Sequence, residues 1–169
     1  MNLLRSAGII LLLSLPTLVS AQQYGKSAGI RLGGTSGITY KQFIVNEQAI
    51  ETIVSGRNGG VQLTILWTMH HPMEISFNEN FYFYYGVGGH LGMEKHDDIT
   101  KKLDTVSGFW YESKKYIALG VDALIGIEYR MLNIPITLSM DMKPYLNYVG
   151  MRKLDGQFWD VAIAVKYIF

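Results

Sequence analysis

The chain has 169 residues with no cysteine and only four prolines, and charged residues make up 17% of it, where a soluble domain carries about 25%. Without cysteine, disulfide stapling, thiol catalysis, cysteine-ligated zinc and a lipid-bearing cysteine anchor are all excluded. Neither charge sign is in excess, with 15 Lys+Arg against 14 Asp+Glu, so the basic patch that marks a nucleic-acid partner is missing. At 49% hydrophobic residues the chain is too apolar and too weakly charged to stay unfolded. Beyond the first fifteen residues no apolar run approaches the ~18 needed to span a bilayer as a helix. The length suits a single domain.

The N-terminal segment MNLLRSAGIILLLSLPTLVSA has Arg5 as a positive start, an apolar run over residues 7–15 and small residues Ser20 and Ala21 before Gln22. This is the layout of a secretory signal peptide, and its apolar run is too short to span a membrane. Removal after Ala21 leaves 148 of the 169 residues. Because Arg5 is the only charged residue removed, the mature chain is formally neutral.

Period-two alternation runs through most of the mature chain. Over residues 119–130, Leu119, Val121, Ala123, Ile125, Ile127 and Tyr129 share one face, while Asp122, Glu128 and Arg130 stand with glycines on the other. Residues 136–143 and 159–169 repeat the pattern, as do 61–70 and 81–90. Three shorter candidates are 27–34, 38–44 and 49–57; in 38–44 the pattern is ambiguous because Phe43 falls on the polar face. Turn signals separate the runs at 35–37, 46–47, 58–60, around Pro72, at Asn133 near Pro135, and at Asp155-Gly156. The expected fold is all-β, an antiparallel up-and-down barrel of about eight strands.

Alternation alone does not say which face is inside, since a lipocalin-like carrier and a membrane barrel both alternate. Three features favour polar-inside. The polar face collects nearly matched charges, Arg31, Lys41, Arg57, Arg130, Lys143 and Lys166 against Glu51, Asp122, Glu128, Asp141 and Asp160, with glycines among them that leave room for long side chains. Aromatics fall into two girdles: Trp67, Phe81, Phe83, Tyr129, Tyr167 and Phe169 toward one rim, Tyr148 and Trp159 toward the other. The longest connection, residues 91–115, lies on one side and mostly short turns on the other, the asymmetry of bacterial outer-membrane barrels. On this assignment an arginine at Ile125 is expected to impede insertion, and an alanine at Gly126 to be the milder change.

The ending VAIAVKYIF, alternating to a terminal aromatic, looks like the terminal-strand signal by which outer-membrane barrels are recognised for insertion, with Ala164 where the commoner signal has glycine. Together with GIRLGGTSGITYKQF and GVDALIGIEYRMLNIPITLSMDMKP it makes residues 24–169 resemble the small single-domain outer-membrane β-barrel proteins of Bacteroidota-type bacteria, and more distantly the eight-stranded OmpA/OmpX-like barrels. The resemblance is architectural and carries over no functional residue. It implies the lipid of the outer membrane and the barrel-assembly machinery as partners.

Candidate chemistry is sparse. An eight-stranded barrel leaves an interior that side chains can fill, so the inward charges are expected to meet as ion pairs. His90 and His96 with Asp97 and Asp98 could hold a divalent metal, and His70 or His71 with Ser76 and Glu74 could serve a lipid-modifying enzyme, but neither set has a diagnostic spacing. Phe109, Trp110 and Tyr111 are possible loop contacts. The expectation is a monomeric, non-enzymatic outer-membrane barrel without cofactor, metal or nucleic-acid partner, in a structural or surface-interaction role. The alternatives are a small-solute channel and a secreted lipocalin-like carrier of an apolar ligand.

Overall fold

The structure, a computed structural model, describes residues 24–73, 75, 80–104, 108–149 and 153–169, with the side chains of 96–114 and of 153 left aside. The expected signal peptide lies outside the described residues. Ten strand segments follow one another: β1 (Lys26–Gly33), β2 (Gly37–Val45), β3 (Gln48–Arg57), β4 (Gly60–Pro72), β5 (Phe81–Asp104), β6 (Gly108–Arg130), β7 (Ile136–Met142), β8 (Tyr145–Val149), β9 (Lys153–Gln157) and β10 (Val161–Ile168).

All pairings are antiparallel, and β1 bonds to both β2 and β10, which closes the sheet on itself. Segments β7 and β8 continue one another along β6 in a single register: Met142 faces Ile125, and Tyr145 faces Asp122. Segments β9 and β10 continue one another along β8 and β7 with the register shifted by one residue. The ten segments therefore make a closed barrel of eight strands, in the ring order β1, β2, β3, β4, β5, β6, β7/β8, β9/β10.

The break inside the last two strands has a local cause. Between paired positions, residues 143–144 on one strand oppose 158–160 on the other, one residue more. That is a β-bulge, with Pro144, which cannot donate to the ladder, opposite the inserted residue. Consecutive Phe158 and Trp159 are both outside, 69% and 78% exposed. The tight turn Asn58-Gly59 joins β3 to β4 with both residues at positive φ, 44° and 65°, the backbone that twists with a two-residue hairpin.

Alternation resolves into an apolar outside and a polar inside. Along β6 the outward Val121 is 61% exposed and Ile125 42%, whereas the inward Asp122, Leu124 and Glu128 are buried. Phe43, the ambiguous residue, faces the lumen, its ring 4.9 Å from Tyr24 and 4.8 Å from His70. One apolar patch lies inside, where Ile53, Leu66, Tyr84 and Leu124 meet on the β3–β6 wall.

Three expectations change. Residues 91–115 are not a loop: β5 and β6 keep their ladder past Met93↔Ile117 to Asp98↔Glu112, and after an irregularity to Asp104↔Gly108. Past Lys95↔Lys115 the two strands of this ribbon pair only with each other, and its sequence shows no apolar alternation to read. Asp155-Gly156 is not a turn but lies within β9, because the strand begun as β7 continues past Pro144 as β8 to Val149 before the chain reverses. Gly126 has no spare room: an added Cβ would sit 2.6 Å from the Met140 carbonyl oxygen and 2.8 Å from Tyr84 Cζ. Likewise a Cβ on Gly120 would meet the His90 ring at 2.4 Å, so both glycines seat aromatic rings. Gly126→Ala is expected to cost about 1–3 kcal/mol through overpacking, read as a lowered urea midpoint; an unchanged midpoint would show that the Tyr84 ring can move aside.

Candidate functional site

The lumen is the chemically distinctive region, and it is built by period two alone: every inward position of a closed barrel points at the same axis. Near the rim that carries Tyr24 and Phe169, Glu128 on β6 accepts from Tyr24 Oη at 2.8 Å, Arg130 Nε at 3.0 Å and Lys41 Nζ at 3.0 Å. Lys41 on β2 also lies 3.3 Å from Glu51 Oε2 and 3.0 Å from His70 Nε2, and Lys166 on β10 reaches Glu51 Oε1 at 2.7 Å. An ammonium can only donate, so His70 Nε2 accepts. The His70 ring stacks on Tyr84 at 5.0 Å. The Arg130 guanidinium finishes this end, 3.6 Å from the Tyr82 ring centroid.

Strands β2 and β6 stand four places apart in a ring of eight. The Lys41–Glu128 pair thus reaches across the lumen from one wall to the opposite one.

Toward the other rim Arg31 NH2 lies 2.6 Å from Asp141 Oδ1, while its NH1 donates to the Thr35 carbonyl and hydroxyl oxygens, each at 2.8 Å. Thr35 in turn donates to Asp160 from its amide at 3.0 Å and its hydroxyl at 2.7 Å. Lys143 bridges Asp160 at 3.3 Å and Asp122 at 3.0 Å. Asp122 then faces His90 Nδ1 at 2.6 Å, and His90 Nε2 lies 3.1 Å from Asn147 Oδ1. The Asn147 amide is fixed in that sense because its Nδ2 donates to Glu94 Oε1 at 3.0 Å, and an ionised carboxylate only accepts. Glu94 ends the chain against Arg57 Nε at 3.4 Å and Asn58 Nδ2 at 3.0 Å.

All eleven charges placed on the inner face by the alternation line this lumen, Arg57 and Arg130 with side chains 7% and 11% exposed and the other nine buried. Glu94 adds a twelfth, so among the described residues six Lys and Arg side chains (Arg31, Lys41, Arg57, Arg130, Lys143, Lys166) meet six carboxylates (Glu51, Glu94, Asp122, Glu128, Asp141, Asp160) in the lumen. Burying a charge without a partner costs several kcal/mol, and here each has one. Glu94 could have been found by continuing the count Tyr84, Gly86, Gly88, His90 two steps further, which stopping at His90 prevented. His70, His90, Tyr84 and Asn147 also belong to the network; their polar-face parity signalled it. His70 is a lumen residue and not part of a turn, while His71 is at the rim, 3.6 Å from Glu47.

On the outside, Trp67, Tyr148, Trp159, Tyr167 and Phe169 are exposed, and Phe81, Phe83 and Tyr129 are half-buried against one another and neighbouring rings. The side chains of His96, Asp97, Asp98, Phe109, Trp110 and Tyr111 lie outside the described part, as do Glu74 and Ser76 altogether. Among the described residues no group of three or more His, Asp or Glu is placed to hold a metal. No known protein-family model and no curated protein matches the chain.

Proposed function

We propose that the chain is an integral outer-membrane β-barrel, exported with loss of residues 1–21, non-enzymatic, with a closed ion-paired lumen and a structural or surface-interaction role. The observation that carries this reading is the inverted polarity: twelve charges lie inside, while Leu32, Ile65, Val121 and Ile163 on four different strands are each more than half exposed outside. Water does not favour that arrangement, and lipid does. A soluble lipocalin-like carrier would need an apolar cavity where this barrel has salt bridges.

The height of the apolar wall fits a membrane. Tyr148 faces Leu119, and Tyr129 lies ten residues further along β6. At about 3.3 Å per residue and a tilt of 35–45° these girdles stand about 25 Å apart. The termini and shorter connections then face the periplasm, and the β5–β6 ribbon projects from the cell. Tyr167 and Phe169, exposed at the end of the last strand, suit recognition by the assembly machinery.

The protein should leave membranes only with detergent and migrate differently on gels before and after heating; recovery as a soluble periplasmic protein would overturn the proposal. In planar bilayers it should give no steady conductance, since the Lys41–Glu128 pair spans the lumen. Stable current steps would favour the channel reading instead.

A further inference from the structure

A cavity of about 500 Å³ opens at the ribbon-side mouth, between the β1–β2 and β3–β4 turns and the place where β8 begins and β9 ends. This lies within the range of ordinary small-ligand sites. Its side chains are Thr35, Arg57, Asn58, Tyr145 and Gln157, and the rest of its lining is glycine backbone. We propose that this mouth binds a neutral, hydroxyl-rich ligand, a saccharide unit.

The choice of ligand follows from which valences are already used. Asn58 commits one Nδ2 hydrogen to Glu94, which leaves Oδ1 as an acceptor and the second Nδ2 hydrogen as a donor. Tyr145 donates its hydroxyl to Gln157 Oε1, which leaves Gln157 Nε2 as a donor and the phenol oxygen as an acceptor. The Arg57 charge is matched by Glu94 at 3.4 Å, and its guanidinium carbon lies over the Tyr145 ring, 4.1 Å from the centroid. An anionic ligand would have to compete with Glu94 for that cation. An apolar ligand would find no aliphatic side chain in the lining. Paired donors and acceptors with no net charge are what a sugar's hydroxyl groups require, each being donor and acceptor at once.

The cell-facing position of the mouth rests on the proposed outer-membrane orientation, but binding by purified protein in detergent does not. Applied to an array of neutral and acidic oligosaccharides, the protein should retain neutral glycans. Gln157→Ala and Asn58→Gly, the latter chosen because glycine accepts the positive φ at that turn, should each reduce retention at least ten-fold while heat-modifiable migration is kept. Retention of no neutral glycan, of acidic glycans only, or of the same glycans by both variants would overturn the inference. Failure of the membrane reading would instead show as solubility without detergent.

Discussion

Lys41→Met should be among the most damaging single changes in the protein, lowering stability by about 3–5 kcal/mol. The methionine keeps the apolar stem but removes the ammonium that lies between Glu51 and Glu128. Both carboxylates are buried, and neither can turn to water. Glu51 keeps Lys166 and Thr39, and Glu128 keeps Arg130 and Tyr24, which places the loss toward the lower end of that range. Urea titration in lipid vesicles, followed by tryptophan emission, measures it. Lys41→Met combined with Glu128→Gln should lose less than the sum of the single losses by at least about 1 kcal/mol, because paired groups couple. Additive losses would mean that the two do not meet across the lumen. Lys26→Met at the exposed rim should shift stability by no more than about 0.5 kcal/mol.

Ile125→Arg should have an effect of similar size from the opposite face. Ile125 is outward, 42% exposed, and lies four residues from Tyr129 and six from Leu119, close to the middle of the apolar wall. A charge there costs about 2–4 kcal/mol in a lipid-embedded barrel, against about 0–1 near the interface. Leu132→Arg, in the connection after β6 and 71% exposed, supplies the interfacial comparison. The folded fraction after dilution from urea into vesicles should fall for Ile125→Arg and stay near normal for Leu132→Arg. Equal behaviour of the two would contradict the lipid-facing assignment. Surface burial by water-soluble folding gives the reverse expectation, since an exposed isoleucine-to-arginine change is then nearly neutral.

The strands were legible because a wall with one outer side and one lumen side imposes period two on every residue that crosses it. Asp122, Glu128 and Arg130 could thus be placed on one face from the run LGVDALIGIEYR alone, and on the inner one only with the matched charges and aromatic girdles of the other strands. The same rule explains what was hidden. Residues 95–115 pair only with one another as a two-stranded ribbon, so Lys95↔Lys115 and Asp98↔Glu112 carry no alternation by which to be recognised. The bulge at 158–160 breaks the count by one residue, and Asp155-Gly156 then reads as a turn although the chain is still in a strand. Which charge meets which was not legible at all: Lys41 and Glu128 are 87 residues apart, and only ring closure by β1 and β10 sets β2 opposite β6. The small residues on the inner face gave a mixed signal. Gly120 and Gly126 make room for rings, as their position among long side chains suggested, but that room is already filled.

The absence of cysteine from the chain allows a direct test of the central claim, that the alternating apolar face lies in lipid and the charged face in a closed lumen. Single cysteines at residues 121–127 of β6, spin-labelled one at a time in reconstituted vesicles, should show accessibility that oscillates with period two. Labels at 121, 123, 125 and 127 should collide with oxygen dissolved in the bilayer and be shielded from a water-soluble nickel chelate. Labels at 122 and 124 should be shielded from both. Outward labels open to the chelate as in free solution, or no alternation between the two sets, would contradict the account.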